Sequence, residues 1–458
     1  MKLRAWASIV GVWIALTGAR GAAADERIDL TLESAVGLAV RNSTGVLKSE
    51  NAVELSGAEV LQSYAQFLPT LDVGASYGYS SGTQLSVINI VSEITSKNKS
   101  ATYQLGTTLN LFNGVGDYSA WKSALNRRDS AQFSLYWAKQ QIAIDVTQSY
   151  LQVVLDQKVV DIGVQNLRTS RARESLFEVR TKVGVTSSAD LARQQAQTSA
   201  DESYLTSARA KLNDDQQLLL EKLRLDVSKT YGFTDPDLKP VPSEDATKSP
   251  EELTKIALER RPDLKSARAI YTSAEWGISV ARADYYPRLN LGFNIFAGAT
   301  YLFSHNVNGI SAMPTTQTPL FSQLGNQVTY ATTLTLSWNL FDRLITKTNV
   351  SRASLAASNY EIDLENTRIL VTREIRQVYG DYRSAVEQRS SSERGLIAAN
   401  KAYDLIQGRY KVGASSFIDV LAAQAALIQA QVARAQALIG FRLQVQLLEF
   451  YLGKTPVE

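Results

Sequence analysis

Two hydrophobic periodicities alternate along this chain, and each appears twice in the same order. Apolar positions three and four apart fill residues 32–66 and 251–285, which predicts one helix in each stretch. Both stretches lead into a proline, Pro69 and Pro287, expected to mark the helix-to-strand boundary. Beyond it the period falls to two. Leu71, Val73, Ala75, Tyr77 and Tyr79 alternate with Asp72, Gly74, Ser76, Gly78 and Ser80, and Tyr103, Leu105, Thr107, Leu109 and Leu111 continue the pattern. Leu289, Leu291, Phe293 and Ile295, then Tyr330, Thr332, Leu334, Leu336, Trp338 and Leu340, repeat it. This alternation predicts strands over 70–80, 102–112, 288–297 and 329–341. Loops 81–101 and 297–328, rich in Ser, Thr, Asn and Gly, are expected to join them.

After each strand pair the helical period returns and lasts much longer. Residues 70–235 and 320–455 contain no proline. Single helices are predicted over 117–182 and 343–411, each about 100 Å long at 1.5 Å per residue. Helices of that length need a coiled-coil or tube-like partner. Each ends on one signal, Lys182-Val183-Gly184 and Lys411-Val412-Gly413, with glycine where a helix C-terminus takes a left-handed residue. Ser187-Ser188-Ala189-Asp190 and Ser416-Phe417-Ile418-Asp419 then match the capping pattern that opens a new helix. Tip turns at 183–188 and 412–416 therefore lead into return helices over about 189–225 and 418–452. The upper half of each long helix is left for the preceding helix, 32–66 or 251–285, to cover. Ala422, Ala426, Ala430, Ala433 and Ala437 form a small-residue stripe suited to close helix approach.

The halves are copies. Phe67–Leu71 answers Tyr285–Leu289 at an offset of 218, while Asn110–Asn113 answers Asn339–Asp342 at 229. Gln148-Ser149-Tyr150 and Gln377-Val378-Tyr379, Gly184 and Gly413, and Asp190 and Asp419 all keep the larger offset. One insertion of 11 residues, in loop 297–328, accounts for the change. The chain thus divides into a signal segment 1–24, a first repeat 25–240 and a second repeat 241–458.

The signal reading rests on Lys2 and Arg4, an apolar run from Ala5 to Leu16, and Ala22-Ala23-Ala24 as cleavage site. Cleavage removes Lys2, Arg4 and Arg20 and leaves 45 basic and 45 acidic residues, so no nucleic-acid partner is implied. With 0 cysteines there is no disulfide, thiolate metal site or lipidated N-terminal Cys. The mature chain has no apolar stretch of helix-spanning length. Entry into a membrane would have to be as a β-barrel, since only helices and closed barrels satisfy their backbones in lipid. Strands of about 9 to 11 residues with one apolar face suit such a wall, and Tyr79, Tyr103, Phe112, Tyr301, Tyr330, Trp338 and Phe341 suit its aromatic girdles. Leu109, Leu291, Phe293 and Leu336 are assigned to lipid, and Thr108, Asn290, Asn294 and Thr335 to the lumen. Four strands cannot close a barrel. Two chains would give eight strands and a filled interior, three would give twelve strands and a lumen. A half-buried soluble sheet gives the same alternation, which leaves a secreted coiled-coil structural or adhesive protein as the alternative. No phosphate loop, nucleophile elbow or carboxylate pair on strand ends indicates an enzyme or a cofactor. The single histidine, His305, lacks companions for a metal site.

The duplicated helix–Pro–strand–loop–strand–long helix–turn–helix unit, with the tip sequence Tyr410-Lys411-Val412-Gly413…Phe417-Ile418-Asp419-Val420-Leu421, resembles the TolC family of outer-membrane channel proteins. The resemblance covers essentially the whole mature chain. It implies a mainly α fold with a small β part: a homotrimer whose helical hairpins form an α-barrel tunnel through the periplasm and whose strands form a 12-stranded barrel in outer-membrane lipid. It also implies docking, at hairpin tips Lys182, Val183, Gly184, Ser187, Lys411, Val412, Gly413 and Ser416, to a periplasmic adaptor serving an inner-membrane transporter of the RND, ABC or MFS type. The family's periplasmic gate maps onto Asp190, Tyr410 and Asp419. Its arginine position falls on Ser415 and a second acid falls on Ala422, so the family's ionic lock is missing here. Arg409, Lys411 and Lys182 lie close enough in sequence to substitute.

Overall fold

The structure, a computed structural model, describes residues 28–87, 91–236, 248–312, 314 and 316–454; the expected signal segment 1–24 lies outside them. The described residues form two compact units, one within residues 1–38 and 149–238, the other within residues 39–148 and 239–458.

The larger unit carries the sheet. Helix α1 (Leu32–Asn42) and helix α2 (Thr44–Ala65) stand where one helix was expected. Ser43 is extended (φ −64°, ψ 125°) and its hydroxyl accepts the Val46 N–H, ending one helix and capping the next. The expected helix 251–285 is likewise divided into α5 (Pro250–Arg260) and α6 (Pro262–Arg282). Pro262 disfavours helical geometry at Arg261, which takes ψ 128°, and then serves as the first residue of α6. A 3₁₀ turn over Ala283–Tyr285 follows α6, before Pro287.

Four main strands follow: β2 (Asp72–Val87), β3 (Val91–Asn113), β5 (Arg288–Val307) and β7 (Val328–Ser337), antiparallel in the order β2-β3-β5-β7. Short β6 (Ile310–Ser311) folds back on the end of β5. Most of the expected loop 81–101 is therefore strand. Its apolar alternation fades, but hydroxyl pairs hold the two strands together, Ser76 with Thr102 at 2.6 Å and Thr83 with Thr95 at 2.8 Å. The expected loop 297–328 shortens because β5 continues along β3 to Val307, and it contains helix α7 (Leu320–Asn326). In the other direction, β7 stops at Ser337, short of the expected 341. There Trp338 Nε1 donates to Tyr285 O at 3.0 Å, which turns the chain out of the ladder.

The two strand-to-helix turns are equivalent across the duplication. Gly114 and Val115 take φ of 69° and 67°, and Arg343 and Leu344 take 57° and 66°. Asn113 Oδ1 accepts the Asp117 N–H at 3.3 Å, and Asp342 Oδ2 accepts the Thr346 N–H at 2.7 Å. Glycine is required at 114 by a close approach, since a Cβ there would lie 2.6 Å from Ala283 O.

Helices α3 (Gly116–Lys182) and α8 (Ile345–Lys411) have 67 residues each, and return through α4 (Ser188–Leu223) and α9 (Phe417–Tyr451). The preceding helices do cover the upper halves: α6 and α5 pack on α8, and α2 reaches α3 through Arg127–Glu59 and Lys139–Glu50. Serines let α3 and α6 approach closely, Ser123 with Ser273 at 2.9 Å and Ser130 with Ser266 at 2.9 Å. The core of this unit joins Leu253, Val371, Ile375, Val378, Tyr382, Phe441 and Leu448. Beside it the Arg261 guanidinium, 1% exposed, pairs with Asp263 and Glu374 at 2.6 Å each. It also lies 4.9 Å from the Trp137 ring and 5.5 Å from the Tyr451 ring. Burial lowers its affinity for the proton, but the two carboxylates outweigh burial and raise its pKa.

In the smaller unit, β1 (Ile28–Leu30) pairs in parallel with β4 (Tyr231–Phe233). Tyr150 fixes this pair to α3, with its hydroxyl 2.8 Å from Leu30 O and 2.6 Å from Thr234 O. Burial pushes the hydroxyl pKa up to about 12. The α3–α4 hairpin is laced by polar groups, among them Arg171 with Glu202 at 2.7 Å and the buried Gln194, whose amide donates to Ser170 O at 3.2 Å. On α9 of the larger unit the alanine stripe does not face α8 throughout. Ala422 and Ala426 are exposed, while Phe417, Val420 and Gln424 are buried.

Candidate functional site

Each hairpin turn is built by one device, a left-handed glycine after the long helix and a serine cap before the return helix. In the first, Gly184 has φ 75°, the Gly184 N–H bonds Thr181 O at 3.0 Å and the Val185 N–H bonds Arg180 O at 2.8 Å. In the second, Gly413 has φ 76°, its N–H bonds Tyr410 O at 3.0 Å and the Ala414 N–H bonds Arg409 O at 2.8 Å. Both are Schellman closures, which satisfy the last helical carbonyls. The tips leave apolar side chains in water: Val183 is 68%, Val185 72% and Val412 79% exposed.

The two turns differ in how the acid at the third helical position is used. Ser187 Oγ accepts the Asp190 N–H at 3.1 Å, while Asp190 Oδ1 takes an ion pair from Arg193 at 2.9 Å. Asp419 instead completes a full capping box. Its Oδ2 accepts from Ser416 N at 2.9 Å, Ser416 Oγ at 2.8 Å and Ser415 Oγ at 2.9 Å. These bonds, first those of Ser416 and then that of Ser415, hold its pKa below the usual carboxylate range, with Arg409 assisting. Arg409 spends a guanidinium N–H on Ala414 O at 3.1 Å, within its own turn. Tyr410 packs its ring on buried Phe417, centroids 5.7 Å apart. The structure thus gathers Tyr410, Ser415, Ser416 and Asp419 in one turn, and Asp190 with Ser187 in the other. Arg193, which neutralises Asp190, was missed by sequence reasoning, although its i,i+3 spacing was a usable signal.

The sheet supplies a second functional surface. The register pairs Leu109 with Leu291, Thr107 with Phe293 and Leu289 with Leu336 on one face. It puts Asn110 with Asn290, Gly106 with Asn294, and Asn290 with Thr335 on the other. The apolar face is open at the end nearer the helices: Val73 is 77% exposed, Leu334 63% and Leu336 68%. Among the described residues, β2 and β7 each leave one edge without a strand partner. Among the described residues no helix is long and apolar enough to cross a membrane.

A sheet with one apolar open face, mounted on 67-residue helices folded into hairpins, defines a protein of the outer-membrane channel class. The family model for outer membrane efflux proteins matches residues 35–223 and 253–454, and the chain belongs to that family. Among relatives, the pyoverdine export outer membrane protein OpmQ of Pseudomonas aeruginosa is 25% identical over 430 residues, 89% of this chain and 83% of that one. The toluene efflux pump outer membrane protein TtgC of Pseudomonas putida is 27% identical over 332 residues, 69% of this chain but only 60% of TtgC. In fold the chain is similar to VceC of Vibrio cholerae (TM-score 0.74, 16% identity, 92% of this chain and 96% of that one). It is also similar to the Campylobacter jejuni CmeC channel (TM-score 0.76, 16% identity, 92% and 85%). The chain is accordingly an outer-membrane efflux channel protein, and the adhesive coiled-coil alternative falls away.

Proposed function

We propose that three copies close into one duct that carries cargo from an inner-membrane transporter, through a periplasmic adaptor, to the exterior. The observation that carries this reading is the open sheet. Four strands with an exposed apolar face and two free edges satisfy their backbones in lipid only after closure with other copies, and twelve strands leave room for a lumen. The exposed valines of the tips, Val183 and Val412, are the adaptor-docking surface. Selectivity for cargo belongs to the pump, since the wall offers only a wide polar face.

In such a trimer, three copies of the second turn ring the entrance with Asp419, held ionised by Ser415 and Ser416. Tyr410 on Phe417 closes by packing what other family members close with an arginine. Asp190, already neutralised by Arg193, contributes less to the field. Planar-bilayer recording tests this. The trimer should give discrete cation-selective steps, Asp419→Asn should lower the selectivity, and Tyr410→Phe with Asp190→Ala should raise conductance. Steps that keep wild-type selectivity and size in all these variants would place the constriction elsewhere, and no steps at all would remove the duct.

A further inference from the structure

Charge is almost absent from the sheet, and where it occurs it is placed. Residues 289–341 contain no Asp, Glu, Lys or Arg, and neither do residues 73–92 or 100–116. Above Asp72 and Arg288, the charged side chains of the main strands are Glu93, Lys97 and Lys99. The register sets Lys99 opposite Tyr79 on one side and Tyr301 on the other, and Lys97 opposite Ser81 and Ser304. With a strand period of two, both lysines fall on the face of Leu105, Leu109, Leu291 and Phe293, the apolar outer face. A charge on that face is expensive inside hydrocarbon, so its height matters. From Leu109 to Lys99 the strand climbs about 33 Å, or about 25 Å of height at a tilt of roughly 40°, which is the thickness of the apolar band. The lysines therefore emerge where hydrocarbon gives way to headgroups, on the side away from the helices.

That spot is also built. The Lys99 ammonium lies 4.6 Å from the centre of the Phe303 ring, and Phe303 packs on Tyr301 at 5.5 Å and on Tyr79 at 6.4 Å. Phe303 is the extra residue of a bulge between Lys97 and Asn98, which brings its ring to the lysine. Beside this cluster, Ala101, Ala297 and Ala299 are buried on the same face where α7 packs on β3 and β5, and the Tyr103 hydroxyl donates to Leu324 O at 3.4 Å. Gln323 holds α7 there by bonding both Thr300 N and Thr300 O at 3.0 Å, and Gln317 bonds Leu302 N at 2.9 Å and Leu302 O at 3.0 Å. Two side-chain amides thus take the place of a strand beyond the end of β7, and Phe321 of α7 stands 78% exposed. Among the described residues neither lysine forms an ion pair with a carboxylate.

We propose that Lys97 and Lys99, with the Tyr79–Tyr301–Phe303 cluster and the α7 flap beside them, form a binding site for the phosphate-bearing headgroup of an outer-leaflet lipid. The ammonium groups pair with phosphate, the aromatic rings take the boundary between headgroup and chains, and the exposed apolar face below takes the acyl chains. No carboxylate on these strands comes nearer along the face than Glu93, four residues from Lys97, so nothing there repels an anion.

The test is lipid titration of the detergent-purified, full-length protein, followed by native mass spectrometry. The probes are bis-phosphorylated lipid A, the same lipid after enzymatic dephosphorylation, and phosphatidylglycerol of matched chain length. The bis-phosphorylated lipid should bind and its dephosphorylated form should bind much more weakly; the phosphatidylglycerol arm tells a glycolipid from a glycerophospholipid source. Lys97→Gln with Lys99→Gln should weaken the phosphorylated lipid about thirtyfold, since each lysine near an anionic surface contributes about fivefold. Lys97→Arg with Lys99→Arg should retain binding. Equal binding of phosphorylated and dephosphorylated lipid by the wild-type protein would overturn the proposal without recourse to any variant. So would unchanged affinity in the glutamine pair.

Discussion

Ser415 donates its hydroxyl to Asp419 Oδ2 at 2.9 Å and so serves the acid of its own turn. The depressed pKa of Asp419 follows from this bond and the two from Ser416. A group whose folded pKa is depressed contributes stability that is present above its unfolded value, about 3.9, and lost as pH falls through the folded one. The α8–α9 turn should therefore stay capped through mildly acidic pH and loosen only below about pH 4. Ser416→Ala should cost about 0.5–2 kcal/mol and free the Asp419 carboxylate. Amide exchange at residues 416–420, followed against pH, reads both effects.

Arginine on the two faces of β7 should act very differently. Leu336, 68% exposed on the apolar face at the end of the band nearer the helices, should lose stability as Leu336→Arg, by less than the about 2–4 kcal/mol of a midplane site. Thr335→Arg, on the polar face, should fold almost normally. Yield of heat-modifiable assembly in outer membranes gives the comparison, and equal damage would mean that the faces are reversed.

Arg261 is the buried charge whose loss should be felt most. Arg261→Met leaves Asp263 and Glu374 facing each other without their cation and should cost about 3–5 kcal/mol. Adding Glu374→Gln and Asp263→Asn should recover much of it. Thermal melts of the three proteins in detergent decide between charge pairing and simple packing on Trp137 and Tyr451 as the source of the effect.

Asp156 offers a pH test within the α3–α4 hairpin. It is 5% exposed, and burial, reinforced by a hydrogen bond with Asp215, pushes its pKa up to about 6. A carboxyl with a raised folded pKa binds its proton more tightly when folded. Its ionisation therefore removes stability as pH rises from about 4 to about 6. The Asp215 pKa is lowered, chiefly through its hydrogen bond with Asp156, and its contribution is lost only as pH falls below about 4. Asp156→Asn should thus raise the melting temperature at pH 7 more than at pH 5. A larger gain at pH 5 would refute the assignment.

The duplication, the long hairpins, the four main strands and the sorting of strand residues onto two faces were legible in the sequence, because periods of 2 and 3.6 and the two glycine–serine turns are local signals. What was not legible depends on contacts between distant segments. The break at Ser43 looks like ordinary helix sequence until the serine caps α2, although Arg261-Pro262 gave a local warning. Strand pairing across 81–101 rests on Ser and Thr, which also make good loops, and only the partner strand decides between them. Gln317 and Gln323 act as edge-closing amides through bonds made 15 and 23 residues away. The split in role between Asp190 and Asp419 came from Arg193 and Ser415, neighbours whose importance appears only once the turns are built.

The central claim, that the open four-stranded sheet is one third of a closed barrel, is tested most directly by the mass of the assembled protein. Native mass spectrometry of the detergent-extracted protein, before and after brief cross-linking, should give three chains, with little or no folded monomer outside detergent. A monodisperse folded monomer in plain buffer, its apolar sheet face in water, would contradict the account.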